Sequence, residues 1–156
     1  METSIKTAKW QTVSEIQLIY KTSVKPSERP QIQSSASAYD ILMQAWDQNK
    51  IEFIEQFKIV LLNKGNKVLG IYELSTGGIS GTVVDVRLIF AAALKANASG
   101  IIMAHNHPSD NLKASDADKE ITKKIVSAGK LLDIPVLDHL IVTTENYYSF
   151  ADNGVL

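Results

Sequence analysis

The chain has 156 residues, 16 Lys and Arg against 17 Asp and Glu, three histidines and no cysteine. A chain of this length fits one domain and folds without disulfides or a structural metal, and the missing cysteine excludes thiol nucleophiles, Cys-ligated zinc and iron–sulfur clusters. The formal net charge of −1 lacks the basic excess of a dedicated nucleic-acid binder. No apolar run approaches the roughly 18 residues of a membrane span, and the N-terminal segment lacks a signal-peptide core, so a cytoplasmic protein is expected.

In chain order, Ile16, Leu18 and Tyr20 alternate within residues 12–21, which predicts a strand. Pro26, Pro30 and small polar residues make 22–36 a connecting loop. Ser37 and Asp40 form a Ser-x-x-acid pattern before Ile41, Leu42, Ala45 and Trp46, predicting a capped helix over 38–49. Residues 56–63 and 68–74 read as two strands joined by the turn Asn63–Asn66, a hairpin. A further strand is expected near 80–85, and a helix over 87–97. Gly100 precedes the apolar run IIMAH, suited to a buried strand. Ser115 opens a helix whose face is Ala117, Ile121, Ile125, Ala128 and Leu132. VLDHLIV after Pro135 and the segment NYYSF close the chain as two strands. This order predicts an α/β protein, a mixed sheet with helices on its faces. One domain is expected over 1–156, with 1–35 an N-terminal strand and loop and 36–156 the core.

Chemistry concentrates in Ala104-His105-Asn106-His107-Pro108, followed by Ser115 and Asp118. Residues i and i+2 of a strand face the same side, so His105 and His107 present two imidazoles together. Pro108 ends the strand, placing the pair at its C-terminal edge, where α/β sheets commonly carry their sites. Two neutral imidazoles suit zinc, and a catalytic zinc takes three protein ligands with one position open. Asp118, in the first turn of the next helix, supplies the third. Ser115 serves as that helix's N-cap, and its hydroxyl is also a candidate donor to a developing oxyanion. His139, beside Asp138, reads as a buried structural histidine, with a metal-ligand or ligand-supporting role as the alternative. Gly77, Gly78 and Gly81 are turn residues, since no Lys-Ser/Thr follows to make a phosphate loop.

The spacing His105-x-His107-x7-Ser115-x2-Asp118 resembles the JAMM (JAB/MPN) metalloprotease signature. The stretch HNHPS, with the downstream DHLIV and YSF, resembles more narrowly its bacterial RadC-like branch, over about residues 50–156. The resemblance implies a three-layer α/β/α fold similar to cytidine deaminases, and zinc held by His105, His107 and Asp118. It also implies a catalytic glutamate upstream. Spacing alone leaves Glu52, Glu55 and Glu73 open, and the Glu-x-Phe context of the family carries the role to Glu55. Two features depart from the family: Asp110 stands where glycine usually follows HNHPS, and residues 1–50 show no helix-hairpin-helix repeat.

The implied activity is zinc-dependent hydrolysis of a peptide or isopeptide bond in a protein substrate, with Glu55 as general base and Ser115 assisting. A DNA-associated metal-dependent nuclease or phosphoesterase, and a catalytically silent binding module, are the alternatives. The metallo-β-lactamase pattern fails at Ser109 and Asp110, and a deaminase would need cysteines.

Overall fold

The protein is described by a computed structural model, which covers residues 14–17, 19–78 and 83–156. Its centre is a five-stranded sheet in the order β2-β1-β3-β4-β5. The strands are β1 (Gln56–Leu62), β2 (Val68–Thr76), β3 (Gly100–Asn106), β4 (Val136–Val142) and β5 (Tyr147–Ser149). Among the described residues three α-helices accompany them: α1 (Ser35–Ala45), α2 (Val86–Lys95) and α3 (Asp116–Leu131). β3 and β4 run parallel, joined by α3 as a crossover, while the other neighbours are antiparallel. The sheet is therefore mixed.

Period-two alternation sorts the side chains of the two fully buried strands, β1 and β3, into two cores. Phe57, Ile59, Leu61, Ile101 and Met103 pack with Ile89, Phe90 and Ala93 of α2 and Ile125 of α3. Val60, Leu62, Ile102 and Ala104 face the other way, onto Ala38 and Leu42 of α1 and onto Trp46 and Ile51. Each fully buried aliphatic side chain contributes about 1.5–3 kcal/mol relative to exposure. Because β1 and β3 carry such residues on both faces, the sheet must be covered twice. The result is the expected three-layer α/β/α architecture.

Local chemistry sets the element boundaries, and several differ from expectation. α1 begins at Ser35 because Ser34, not Ser37, is its N-cap: the Ser34 hydroxyl accepts from Ser37 N–H, and Ser37 Oγ accepts from Ser34 N–H. Ser37 thus fills the position that usually holds Glu or Gln in a capping box. The helix ends at Ala45, with Trp46 already extended, rather than at 49. α2 starts at Val86 because the Asp85 side chain caps Arg87 N–H. The inward face of α3 is Thr122, Ile125 and Gly129, and Leu132 caps the end, partly exposed.

The strand expected over 12–21 falls partly outside the described residues; its described part, 14–17 and 19–21, is irregular. Ile16 and Ile19 are largely exposed there, and Tyr20 is tied by its hydroxyl to the Leu69 carbonyl rather than through a backbone ladder. Alternation is present, but no partner strand pairs with the described residues of this segment. Of the strand expected near 80–85, residues 80–82 lie outside the described set and 83–85 are irregular. The hairpin forms as expected: Asn63 Oδ1 accepts from Gly65 and Lys67 N–H, and Asn66 takes a left-handed φ of 57°. Among the described residues no helix is long and apolar enough to cross a membrane.

α3 lies close to the connection that leads into β4. A Cβ on Gly129 would stand 2.5 Å from the Ile134 carbonyl oxygen, a backbone atom that cannot swing aside. Alanine gains up to about 1 kcal/mol of helix propensity over glycine, but the clash should outweigh it. Gly129→Ala is expected to destabilise the protein by about 1–3 kcal/mol, the usual cost of overpacking, as read by urea unfolding. Unchanged or increased stability would refute the close approach.

Candidate metal centre

The site forms where β3 ends against the first turn of α3. His105 is the penultimate residue of β3 and is buried; His107 follows two residues later on the same face. Asp118 stands in the first turn of α3. Its position is fixed by a reciprocal cap in which Asp118 N–H donates to Ser115 Oγ and Ser115 N–H donates to Asp118 Oδ2. Ser115 therefore acts as N-cap, and by the same bonds it aims the Asp118 carboxylate back across the strand end. The positive end of the helix dipole favours a carboxylate there.

Three ligand groups converge. His105 Nε2 lies 3.0 Å from His107 Nε2 and 3.3 Å from Asp118 Oδ1, and His107 Nε2 lies 3.6 Å from Asp118 Oδ2. A tetrahedral ion held at about 2.0–2.1 Å by nitrogen and oxygen has ligand–ligand edges of about 3.3 Å. The separations between the groups are of that size, and His105, His107 and Asp118 could together hold a metal ion.

The electrostatics agree. His107 donates its Nδ1–H to the Asn111 carbonyl, which leaves its Nε2 bare when the ring is neutral. Burial alone would raise the Asp118 carboxyl, but the adjoining His105 and His107 rings and the Ser115 N–H hold it far below the usual carboxylate range. The Asp118 carboxylate in turn raises His107. Bare nitrogens facing one another beside an anion call for positive charge, which a proton or a metal ion supplies.

Glu55 joins this cluster from the residue just before β1. The antiparallel pairing of β1 with β3 ends with Phe57 opposite His105, two residues from Glu55. Its main chain is held to the loop after β2, by Glu55 N–H to the Gly78 carbonyl and Gly77 N–H to the Glu55 carbonyl. Gly77 and Gly78 therefore brace the Glu55 segment, while Gly81 lies outside the described residues. Glu55, His105 and Asp118 line one cleft of about 180 Å³, with Phe57, Val84 and Ile121 as its apolar wall. Partial burial raises the Glu55 carboxyl, against the opposing pull of the two histidines.

The other two glutamates left open by spacing sit elsewhere. Glu52 is exposed. Glu73 is occupied by Thr76, Gln56 and Lys58. Asp110 is an exposed turn residue with φ 63°, a left-handed conformation that suits the glycine usual there and that aspartate tolerates.

Sequence reading missed Asn106, the middle residue of the His-x-His triplet. Alternation turns it away from the histidines, where it is fully buried. Its Nδ2 donates to the Ile51 and Ile54 carbonyls at 2.7 and 2.8 Å, and its Oδ1 accepts from Gln56 N–H at 2.7 Å. These bonds clamp the segment that carries Glu55 to the strand that carries the histidines. The only sequence signal for it was a polar residue inside an apolar strand.

His139 is fully buried, with Nε2 2.8 Å from His105 Nδ1 and Nδ1 2.6 Å from Thr122 Oγ1. It stacks on Phe150. It therefore supports a cluster residue from behind and is not one of the three converging groups. Asp138, its neighbour, accepts from His139 N–H, Ala151 N–H and the Ser149 hydroxyl, fixing the C-terminal segment over β4.

The family profile described as RadC-like JAB domain matches residues 32–155. A UPF0758 protein of Flavobacterium johnsoniae is 54% identical over 101 residues, which are 65% of this chain and 44% of that protein. UPF0758 protein YfjY of Escherichia coli is 45% identical over 102 residues, 65% of this chain and 64% of that protein. UPF0758 protein tlr1707 of Thermosynechococcus vestitus is 38% identical over 125 residues, 80% of this chain and 47% of that protein. The chain thus spans about half the length of most curated relatives it matches.

Asn106→Ala should cost more than a typical surface change, because it strands two carbonyls and an amide that are shielded from water. With a penalty of about 1–3 kcal/mol for each such group, a loss of at least 3 kcal/mol is expected in denaturant unfolding. Amide exchange should accelerate first over residues 51–56. A loss under about 1 kcal/mol, or exchange unchanged in that segment, would show that Asn106 is no clamp.

Proposed function

The chain belongs to the RadC-like JAB domain family, and on that premise we propose that it is a zinc-dependent hydrolase of peptide or isopeptide bonds in a protein substrate. His105, His107 and Asp118 hold the zinc, and Glu55 is the general base. The observation that carries this reading is the convergence of two imidazole nitrogens and a carboxylate within 3.0–3.6 Å, beside a cleft lined by His105, Asp118 and Glu55. The donor set suits zinc, which favours imidazole and carboxylate ligands and leaves a position open when the protein supplies three.

Zinc bound there supplies Lewis acidity toward a carbonyl oxygen and lowers the pKa of a water toward about 7. The residues of this chain do the rest. Glu55 takes the proton of the attacking water on its carboxylate and delivers it to the departing amine nitrogen. Its raised pKa brings it nearer to neutral pH, which makes that return easier. Ser115 Oγ is already an acceptor from Asp118 N–H, so its O–H is free to donate to the oxyanion that forms on the substrate carbonyl. Phe57, Val84 and Ile121 limit water on the cleft's inner wall. Asn106 holds the base at a constant offset from the ligands.

The expected stoichiometry is about one zinc per chain by elemental analysis. Chelation should abolish cleavage of a peptide and isopeptide substrate panel, and zinc should restore it. Glu55→Gln should retain the metal and lose turnover by about 10²–10⁴-fold. A Glu55→Gln protein with the wild-type rate, or a wild-type protein that cleaves labelled DNA and no peptide, would contradict the assignment.

A further inference from the structure

His139 and Thr122 are given no part in the chemistry above, yet they continue the site inward. From the cleft the chain of contacts runs His105 Nε2, His105 Nδ1, His139 Nε2, His139 Nδ1, Thr122 Oγ1 and the Asp118 backbone carbonyl. The three polar links measure 2.8, 2.6 and 2.6 Å. The His105–His139 and His139–Thr122 links are buried; His105 is 1%, His139 0% and Thr122 2% exposed. A mismatched donor in those two links would have no water to turn to.

The proton positions along this chain are coupled. A neutral imidazole carries one N–H, so its second nitrogen must accept. Thr122 Oγ1 donates its hydrogen to the Asp118 carbonyl, four residues earlier on α3, and so presents a lone pair to His139. His139 therefore carries its hydrogen on Nδ1, and its bare Nε2 accepts from His105 Nδ1–H. His105 is left with a bare Nε2, the atom that faces His107 and Asp118. Were the chain reversed, His105 would carry its hydrogen on Nε2 and could not ligate a metal through that atom.

We infer that Thr122 and His139 are positioning residues that fix His105 in its metal-binding tautomer, so that the metal affinity of the site is set in part by a threonine hydroxyl inside α3. The chain begins and ends on one residue: Asp118 anchors the threonine through its backbone and faces the histidines through its side chain. This inference rests on the metal-site reading given above for its consequence, but the tautomers themselves exist without metal. Partners behind a ligating histidine typically control metal affinity by about 10–100-fold.

The test uses the full chain and three proteins: wild type, Thr122→Val and Thr122→Ser. Valine keeps the shape and removes the acceptor; serine keeps the hydroxyl. Zinc affinity is read by competition with a chromophoric chelator. Thr122→Val is expected to bind zinc about 10–100-fold more weakly, and Thr122→Ser to bind within about threefold of wild type. In parallel, nitrogen-15 NMR of labelled histidine in metal-free wild type reads the tautomers of all three rings directly. His139 and His105 are expected to be protonated on Nδ1. Thr122→Val binding zinc as tightly as wild type, or His139 of wild type protonated on Nε2, would overturn the inference. If wild type binds no zinc at all, the proposed function falls, while the NMR result still decides the tautomer chain.

Discussion

Three lone-pair donors are pressed together at the end of β3, and most of the surrounding structure serves to hold them there. Two imidazole nitrogens 3.0 Å apart beside a carboxylate repel one another unless a cation lies among them. Such a cluster stays assembled only if rigid parts on both sides fix it. β3 supplies one side, gripped by β1 and β4 along its length. The N-terminus of α3 supplies the other, where the Ser115–Asp118 cap fixes the carboxylate through backbone bonds. The same cap that starts the helix therefore also builds the site, and the two roles of Ser115 do not compete.

Strand alternation does a second job in the same tripeptide. His105 and His107 face α3; Asn106 faces the α1 layer and binds the 51–56 segment. One pleat thus sets the distance between the strand that carries the histidines and the segment that carries Glu55. A one-residue slip of β3 would send both histidines into the α1-side core and Asn106 into the cleft. Fold and site are specified by the same register, which the fully buried apolar residues on both faces of β3 enforce.

Much of this was legible in the sequence because it is local. The β1–β2 hairpin, the buried β3 and the α3 start each follow from a few adjacent residues, and His105, His107, Ser115 and Asp118 lie within fourteen positions. What the sequence left out depends on partners distant in the chain. Thr122, His139 and Asn106 look like ordinary polar residues inside apolar elements until β4 and the 51–56 segment are folded against β3. The alternation at 14–21 misled for the converse reason: a strand needs a neighbour to pair with, and the described residues there have none. The α1 cap was placed three residues late because Ser37 caps from the N3 position, where a serine is a less familiar signal than Glu or Gln.

The central claim is that His105, His107 and Asp118 form a single metal centre, and diffraction from crystals of the zinc-loaded protein, collected on both sides of the zinc absorption edge, tests it most directly. The account predicts one anomalous peak per chain, bounded by His105 Nε2, His107 Nε2 and an Asp118 oxygen at about 2.0–2.2 Å, with a non-protein ligand in the fourth position facing Glu55. A peak that engages only one of the two histidines, or that lies on surface carboxylates with the cluster left metal-free, would contradict it.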